Sequence, residues 1–125
     1  MRLVIADDNV PFRTRLSSIL SGIKGIEIVG VAGDVPETLD TIGRTKPDLV
    51  ILDIQMPGGN GFDVLSVIKS SKASPTVIML SVGPRSAYET MSFLMGADYF
   101  FEKSSDLMRM ARLLKSFTRE RKAAS

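Results

Sequence analysis

Along the chain, short apolar runs alternate five times with segments in which apolar residues recur at helical spacing. The runs Leu3–Ala6, Ile26–Val31, Leu49–Leu52, Thr76–Leu80 and Tyr99–Phe101 read as strands. Leu49-Val50-Ile51-Leu52 has no polar alternation, the pattern of a parallel strand covered on both faces. Phe12, Leu16, Ile19 and Leu20 follow the i, i+4, i+7, i+8 rule of a core-facing helix, and Pro11 suits its first turn. Val35, Leu39 and Ile42 predict a second helix, stopped at Lys46-Pro47. Phe62, Leu65 and Ile68 predict a third, starting just beyond Gly61. Tyr88, Met91, Leu94 and Met95 predict a fourth with its apolar stripe on the core and Gly96 as the residue that closes it. Leu107, Met110, Leu114 and Phe117 predict a fifth, with Ser104 or Ser105 as N-cap.

Strict alternation of strand and helix implies a parallel sheet with helices on both faces, joined by right-handed crossovers. The expected class is α/β: a doubly wound, five-stranded (βα)5 arrangement of flavodoxin-like strand order 2-1-3-4-5. Ligands of such sheets bind at the C-terminal strand ends near the switch point, here between the first and third strands. Those strands end in acids: Asp7-Asp8 follow the first and Asp53 the third. After Asp53, Pro57-Gly58-Gly59-Asn60-Gly61 is strong turn chemistry. The fourth strand ends in Ser81, and Lys103 stands just past the fifth. Three crowded carboxylates repel, and a hard divalent cation relieves them.

Composition narrows the chemistry further. The 125 residues contain neither Cys nor His, so thiolate and imidazole ligands, cysteine nucleophiles and histidine bases are all excluded. What remains favours oxygen-seeking ions such as Mg²⁺, Mn²⁺ or Ca²⁺. No apolar run approaches membrane-spanning length, so a cytoplasmic protein without membrane contact is expected. Net charge is only +2, yet Arg109, Arg112, Lys115, Arg119, Arg121 and Lys122 crowd the C-terminal stretch. Cations near a helix C-terminus are favoured by its dipole, so this run reads as a solvated helix face before it reads as a binding patch.

The segments Val4-Ile5-Ala6-Asp7-Asp8, Asp48 to Pro57 with Gly61, Met79-Leu80-Ser81 and Gly96 to Lys103 together resemble the receiver domain of bacterial response regulators, over nearly all of Arg2 to Phe117. The resemblance implies that Asp53 accepts a phosphoryl group from a sensor histidine kinase, a histidine phosphotransfer protein or a small phosphodonor. It implies Mg²⁺ held by Asp7, Asp8, Asp53 and the backbone carbonyl of Gln55. Lys103 and Ser81 would meet the phosphoryl oxygens, with Ser81 and Phe100 forming the conformational switch. The chain would then be a signalling switch rather than an enzyme with its own substrate.

Two features depart from the common pattern. Most relatives carry Pro after the lysine, often with a cis bond, whereas this chain has Lys103-Ser104 and is expected to keep it trans. The junction and Leu80-Ser81-Val82 are similar to NarL/LuxR-type receivers, which normally carry a DNA-binding domain. Residues 119–125 are too short for one, so the expectation is a receiver over residues 1–118, a basic tail, no output domain and no direct DNA binding. Output would pass to a protein partner or a second copy through the face of the fourth helix, fifth strand and fifth helix, around Arg85, Tyr88, Arg109 and Arg112. Gly83 has no side chain to shield the phosphorus, leaving Gln55 and its loop to limit water. Met91, Met95, Met108 and Met110 read as core filler. Alternatives are a Mg²⁺-dependent aspartyl-phosphate hydrolase or phosphatase, which would want an acid where Gln55 stands, and a flavodoxin-like flavin-binding module, which would want a phosphate loop where Asp7-Asp8-Asn9 stands.

Overall fold

The five apolar runs become the five strands of one parallel sheet: β1 (Arg2–Ala6), β2 (Glu27–Ala32), β3 (Leu49–Asp53), β6 (Thr76–Ser81) and β7 (Tyr99–Glu102). Their order, β2-β1-β3-β6-β7, is the expected 2-1-3-4-5 of the long strands. The computed structural model describes residues 1–83 and 85–124, without the side chains of residues 85, 86 and 120–124. Five helices connect the strands: α1 (Val10–Ser21), α2 (Val35–Thr45), α3 (Gly61–Lys69), α4 (Arg85–Leu94) and α5 (Leu107–Ala124). The last continues through residues 119–124, so the stretch expected as a basic tail extends α5.

Because successive side chains of a strand point to opposite faces, each central strand feeds two cores. Val4, Ala6, Val50, Leu52, Val77, Met79 and Phe100 pack with α2, α3 and α4. Leu3, Ile5, Leu49, Ile51, Ile78 and Leu80 pack with Leu16 and Leu20 of α1 and Met110 and Leu114 of α5. All five residues of β3 are buried, as its unbroken apolar run requires.

Local chemistry sets the helix ends. Asn9 caps α1 by accepting from the Phe12 amide, and Asp34 caps α2 through Glu37. Asn60 and Asp63 form a reciprocal capping box at the start of α3. After α4, Ala97 donates to the Ser92 carbonyl and Gly96, at φ +100°, to that of Phe93. That paired pattern needs a left-handed residue, which explains Gly96.

Three expectations are corrected. The residue flanking α5 is Asp106, not Ser104 or Ser105: it is buried and its carboxylate accepts the Glu102 amide at 2.9 Å. The stripe of α4 does not all face inward, since Leu94 is 78% and Met91 46% exposed while Ser92 is fully buried. Ser92 can be buried because its hydroxyl donates to the Tyr88 carbonyl at 2.7 Å. Met108 is likewise exposed, and of Met91, Met95, Met108 and Met110 only Met110 is fully enclosed. Finally, the loop after Asp53 holds a small antiparallel ribbon, β4 (Gln55–Met56) with β5 (Gly59–Asn60), turned by Gly58 and Gly59 at positive φ. Two-residue strands are too short for any periodicity to reveal.

Gly61 fixes where that loop closes. Its amide donates to the Ile54 carbonyl at 2.6 Å, and a Cβ built on it would lie 2.3 Å from the Asp53 carbonyl oxygen. That obstacle is backbone, which cannot swing aside. Gly61→Ala should therefore destabilise the fold by roughly 2 kcal/mol or more, read as a lower urea midpoint at unchanged slope.

Candidate functional site

Strand register decides which polar groups meet. Ala6 pairs with Leu52 across β1 and β3, so the next residues, Asp7 and Asp53, stand side by side. Asp53 pairs with Leu80 of β6, and Ser81 with Glu102 of β7, placing Ser81 and Lys103 at the same rim. Asp7 and Asp53 are both buried and Asp8 is exposed, with carboxylate oxygens of all three within 4.8 Å of one another.

The Lys103 ammonium reaches into this group, 2.6 Å from Asp7 Oδ2 and 3.3 Å from Asp53 Oδ2. One ammonium against three carboxylates leaves an excess of two negative charges when all are ionised, which matches a divalent cation. Asp7 Oδ2 accepts no aligned hydrogen bond, although the Lys103 ion pair is close by. Lys103 balances part of the charge on this buried oxygen, and its remaining valence is suited to a metal ion. The all-oxygen donor set fits Mg²⁺. The Gln55 amide lies 3.4 Å from Asp53 Oδ1, so its backbone borders the cluster.

Ser81 is buried and its hydroxyl accepts from the Gly83 amide at 3.0 Å. Phe100 is also buried, on the α3 and α4 side of the sheet. Continuing the pleat, Asp7, Asp53 and Lys103 belong to the α1 and α5 side, while Ser81 and Phe100 belong to the other. The predicted residues thus gather at one edge but approach it from two faces.

Two participants escaped the sequence reading. Phe12, read there as core stripe, lies with its ring centroid 4.6 Å from the Lys103 ammonium. A ring face is a favourable surface for a cation held away from water. Tyr88, read there as core stripe and as part of the output face, packs beside Gly83 and reaches Gln55. The space that Gly83 leaves is therefore filled by the Tyr88 ring. No spacing rule ties residues 12 and 103, or 83 and 88, to the acids; only the packing of α1 and α4 does.

Burial pushes the Asp53 carboxyl up from 3.8 to about 7, with the Asp7 charge adding to the rise and Lys103 opposing it. Nucleophilic use of Asp53 requires its ionised form, and a bound cation would favour that form.

A family model described as the response regulator receiver domain matches residues 3–115. A protein-glutamate methylesterase/protein-glutamine glutaminase of Desulfotalea psychrophila is 41% identical over 65% of this chain and 22% of its own length. The sensory transduction protein LytT of Bacillus anthracis is 28% identical over 98% of the chain and 49% of its own length. The chain thus spans at most about half of these curated relatives. Among solved structures, the signal receiver domain of NarL from Mycobacterium tuberculosis superposes with a TM-score of 0.85 at 27% identity, covering 94% of this chain and 95% of that one. The response regulator domain of Thermotoga maritima CheB gives 0.81 at 28% identity, covering 96% and 94%.

The raised Asp53 value has a consequence for stability. Between 3.8 and about 7 the folded protein holds a proton that the unfolded chain has lost. Stability from this group is complete below the unfolded value and is lost as pH rises through the folded one. In metal-free protein, the fall in Tm from about pH 5 to about pH 8 should be smaller in Asp53→Asn, which cannot ionise. Equal slopes in scanning calorimetry would show that Asp53 is ionised throughout.

Proposed function

Since the chain belongs to the response regulator receiver domain family of two-component systems, we propose that it works as a phosphoryl-accepting switch with Asp53 as the acceptor. The observation that carries this reading is the pairing of buried Asp53 with Asp7 and with the Lys103 ammonium between them. The methylesterase relatives share about a fifth of their length with this chain, so their activity is not carried over.

In this reading a carboxylate oxygen of Asp53 attacks the phosphorus of a phosphohistidine or a small phosphodonor. A P–O bond forms, the P–N or P–O bond of the donor breaks, and the leaving atom keeps the electron pair. Such transfers need positioning and charge neutralisation more than covalent assistance. Mg²⁺ held by Asp7, Asp8, Asp53 and the Gln55 carbonyl would draw charge from the phosphoryl oxygens. Lys103 turns from the carboxylates to a phosphoryl oxygen, with Phe12 supporting its ammonium. The chain's lack of His is no obstacle, because the donor supplies the histidine. Cytoplasmic work fits such a donor, and no described helix is long and apolar enough to cross a membrane.

Ser81 accepts from the Gly83 amide, which leaves its O–H able to donate to a phosphoryl oxygen once the end of β6 is drawn toward the site. Phe100, on the neighbouring strand and the same face, is placed to repack in response. The signal then leaves through α4, β7 and α5 to a protein partner or a second copy. Exposed Met91, Leu94 and Met108 give that face apolar area, and exposed Arg109 and Arg112 give it charge. The Arg85 side chain, expected there as well, lies outside the described residues.

Incubation with acetyl phosphate or phosphoramidate and Mg²⁺ should give one alkali- and hydroxylamine-labile phosphate per chain by intact mass, and none in Asp53→Asn. Stoichiometric phosphate on that variant would defeat the assignment. Phe100→Ala should still take up phosphate, yet lose the amide shift changes that phosphorylation produces in residues 87–103.

A further inference from the structure

The ring of Tyr88 occupies the place where residue 83 would carry its side chain. A Cβ built on Gly83 would lie 2.6 Å from Tyr88 Cε2, 3.2 Å from Cδ2 and 3.6 Å from Ser81 Oγ. The first distance is far inside van der Waals contact, so ring and side chain could not coexist without movement. The Tyr88 hydroxyl lies 3.5 Å from Gln55 side-chain Nε2, a long contact, and the backbone N–H of Gln55 is 3.4 Å from Asp53 Oδ1. Tyr88 therefore spans from the Ser81 end of β6 to the loop that follows Asp53.

Two contacts hold it there. Phe62 of α3 packs on the ring with centroids 6.3 Å apart, and the buried Ser92 hydroxyl grips the Tyr88 carbonyl. Tyr88 is half-buried, partly packed against its neighbours and partly open to solvent. Gln55, by contrast, is exposed, with its side-chain amide donating to the Tyr88 hydroxyl.

We propose that Tyr88 is the residue that shields the phosphorylated Asp53 from water, its ring standing in for the side chain absent at Gly83. The proposal rests on the reading of Asp53 as phosphoacceptor. Loss of the phosphoryl group requires a water oxygen to attack phosphorus opposite the P–O bond to Asp53. That bond breaks, the Asp53 carboxylate keeps the electron pair, inorganic phosphate departs and the water proton passes to phosphate or solvent. A rigid apolar ring beside this approach excludes the attacking water, whereas the flexible Gln55 amide alone does not. In this role Tyr88 is a positioning residue, because it touches neither the phosphorus nor the metal ligands' oxygens.

The test compares decay of phosphate on Asp53 after loading with phosphoramidate and removal of donor, with Mg²⁺ saturating, in wild type, Tyr88→Phe, Tyr88→Leu and Tyr88→Ala. Shielding by the ring predicts decay about fivefold or more faster in Tyr88→Ala, an intermediate rate in Tyr88→Leu and a rate within about twofold of wild type in Tyr88→Phe, each factor of ten corresponding to about 1.4 kcal/mol. Loading by the small donor should accelerate with the same ranking, and Mg²⁺ affinity should stay constant, which a general loosening of the fold would not produce. Should Tyr88→Ala fail to fold, the Leu and Phe rates decide alone. Equal decay in wild type, Leu and Ala forms overturns the shield, as does a Phe form as fast as Ala. A wild type that takes up no phosphate instead overturns the reading of Asp53 itself, and the shield with it.

Discussion

Two buried carboxylates that would otherwise repel are held together by one ammonium. Asp7 and Asp53 meet because β1 and β3 are neighbours in register, and Lys103 lies against both. Burial disfavours each charge, so the arrangement persists only while a cation is present among the acids. Lys103 arrives from the far end of the chain, and its seat depends on the fifth strand being laid down on the fourth. The site therefore forms only when the sheet is complete.

That same dependence explains much of the surrounding packing. Asp106 ties the start of α5 to Glu102, next to the lysine, where other chemistry would leave the turn slack. Asp98 accepts from the Val77 amide at 2.8 Å and from the Lys69 ammonium at 2.9 Å, fixing the entry of β7 against β6 and α3. Gly61 brings the loop after Asp53 so close to the strand that no side chain could fit. None of these groups belongs to the acid cluster, yet each limits where Asp53, Ser81 or Lys103 can stand.

The two faces of the site have different characters. On the α1 and α5 side, charge is enclosed: Lys103 is 10% exposed and roofed by the Phe12 ring. On the α3 and α4 side more surface is open, with Gln55 exposed and α4 presenting Leu94 and Met91 to solvent. A rigid charged half beside a half that can repack is what a two-state element biased by local charge requires. The phosphoryl group would sit at the junction of the two.

By itself the sequence determined the five strands and the acids at their ends, because apolar periodicity and turn chemistry are local signals that survive without a structure, while the strand order followed only from the likeness of the strict alternation to flavodoxin-like sheets. It also located Gly96 and the stop at Lys46-Pro47, where backbone geometry is dictated by one or two residues. Tertiary structure alone decided which apolar helix positions are buried. Leu94 and Ser92 of α4 exchange the roles their polarity suggests, since the helix is rotated by what it packs against and Ser92 satisfies its hydroxyl within its own turn. It alone paired Phe12 with Lys103 and set Tyr88 in the space beside Gly83. Those contacts join residues on different elements, and their partners are chosen by the shape of the packed interior, which no period along the chain encodes.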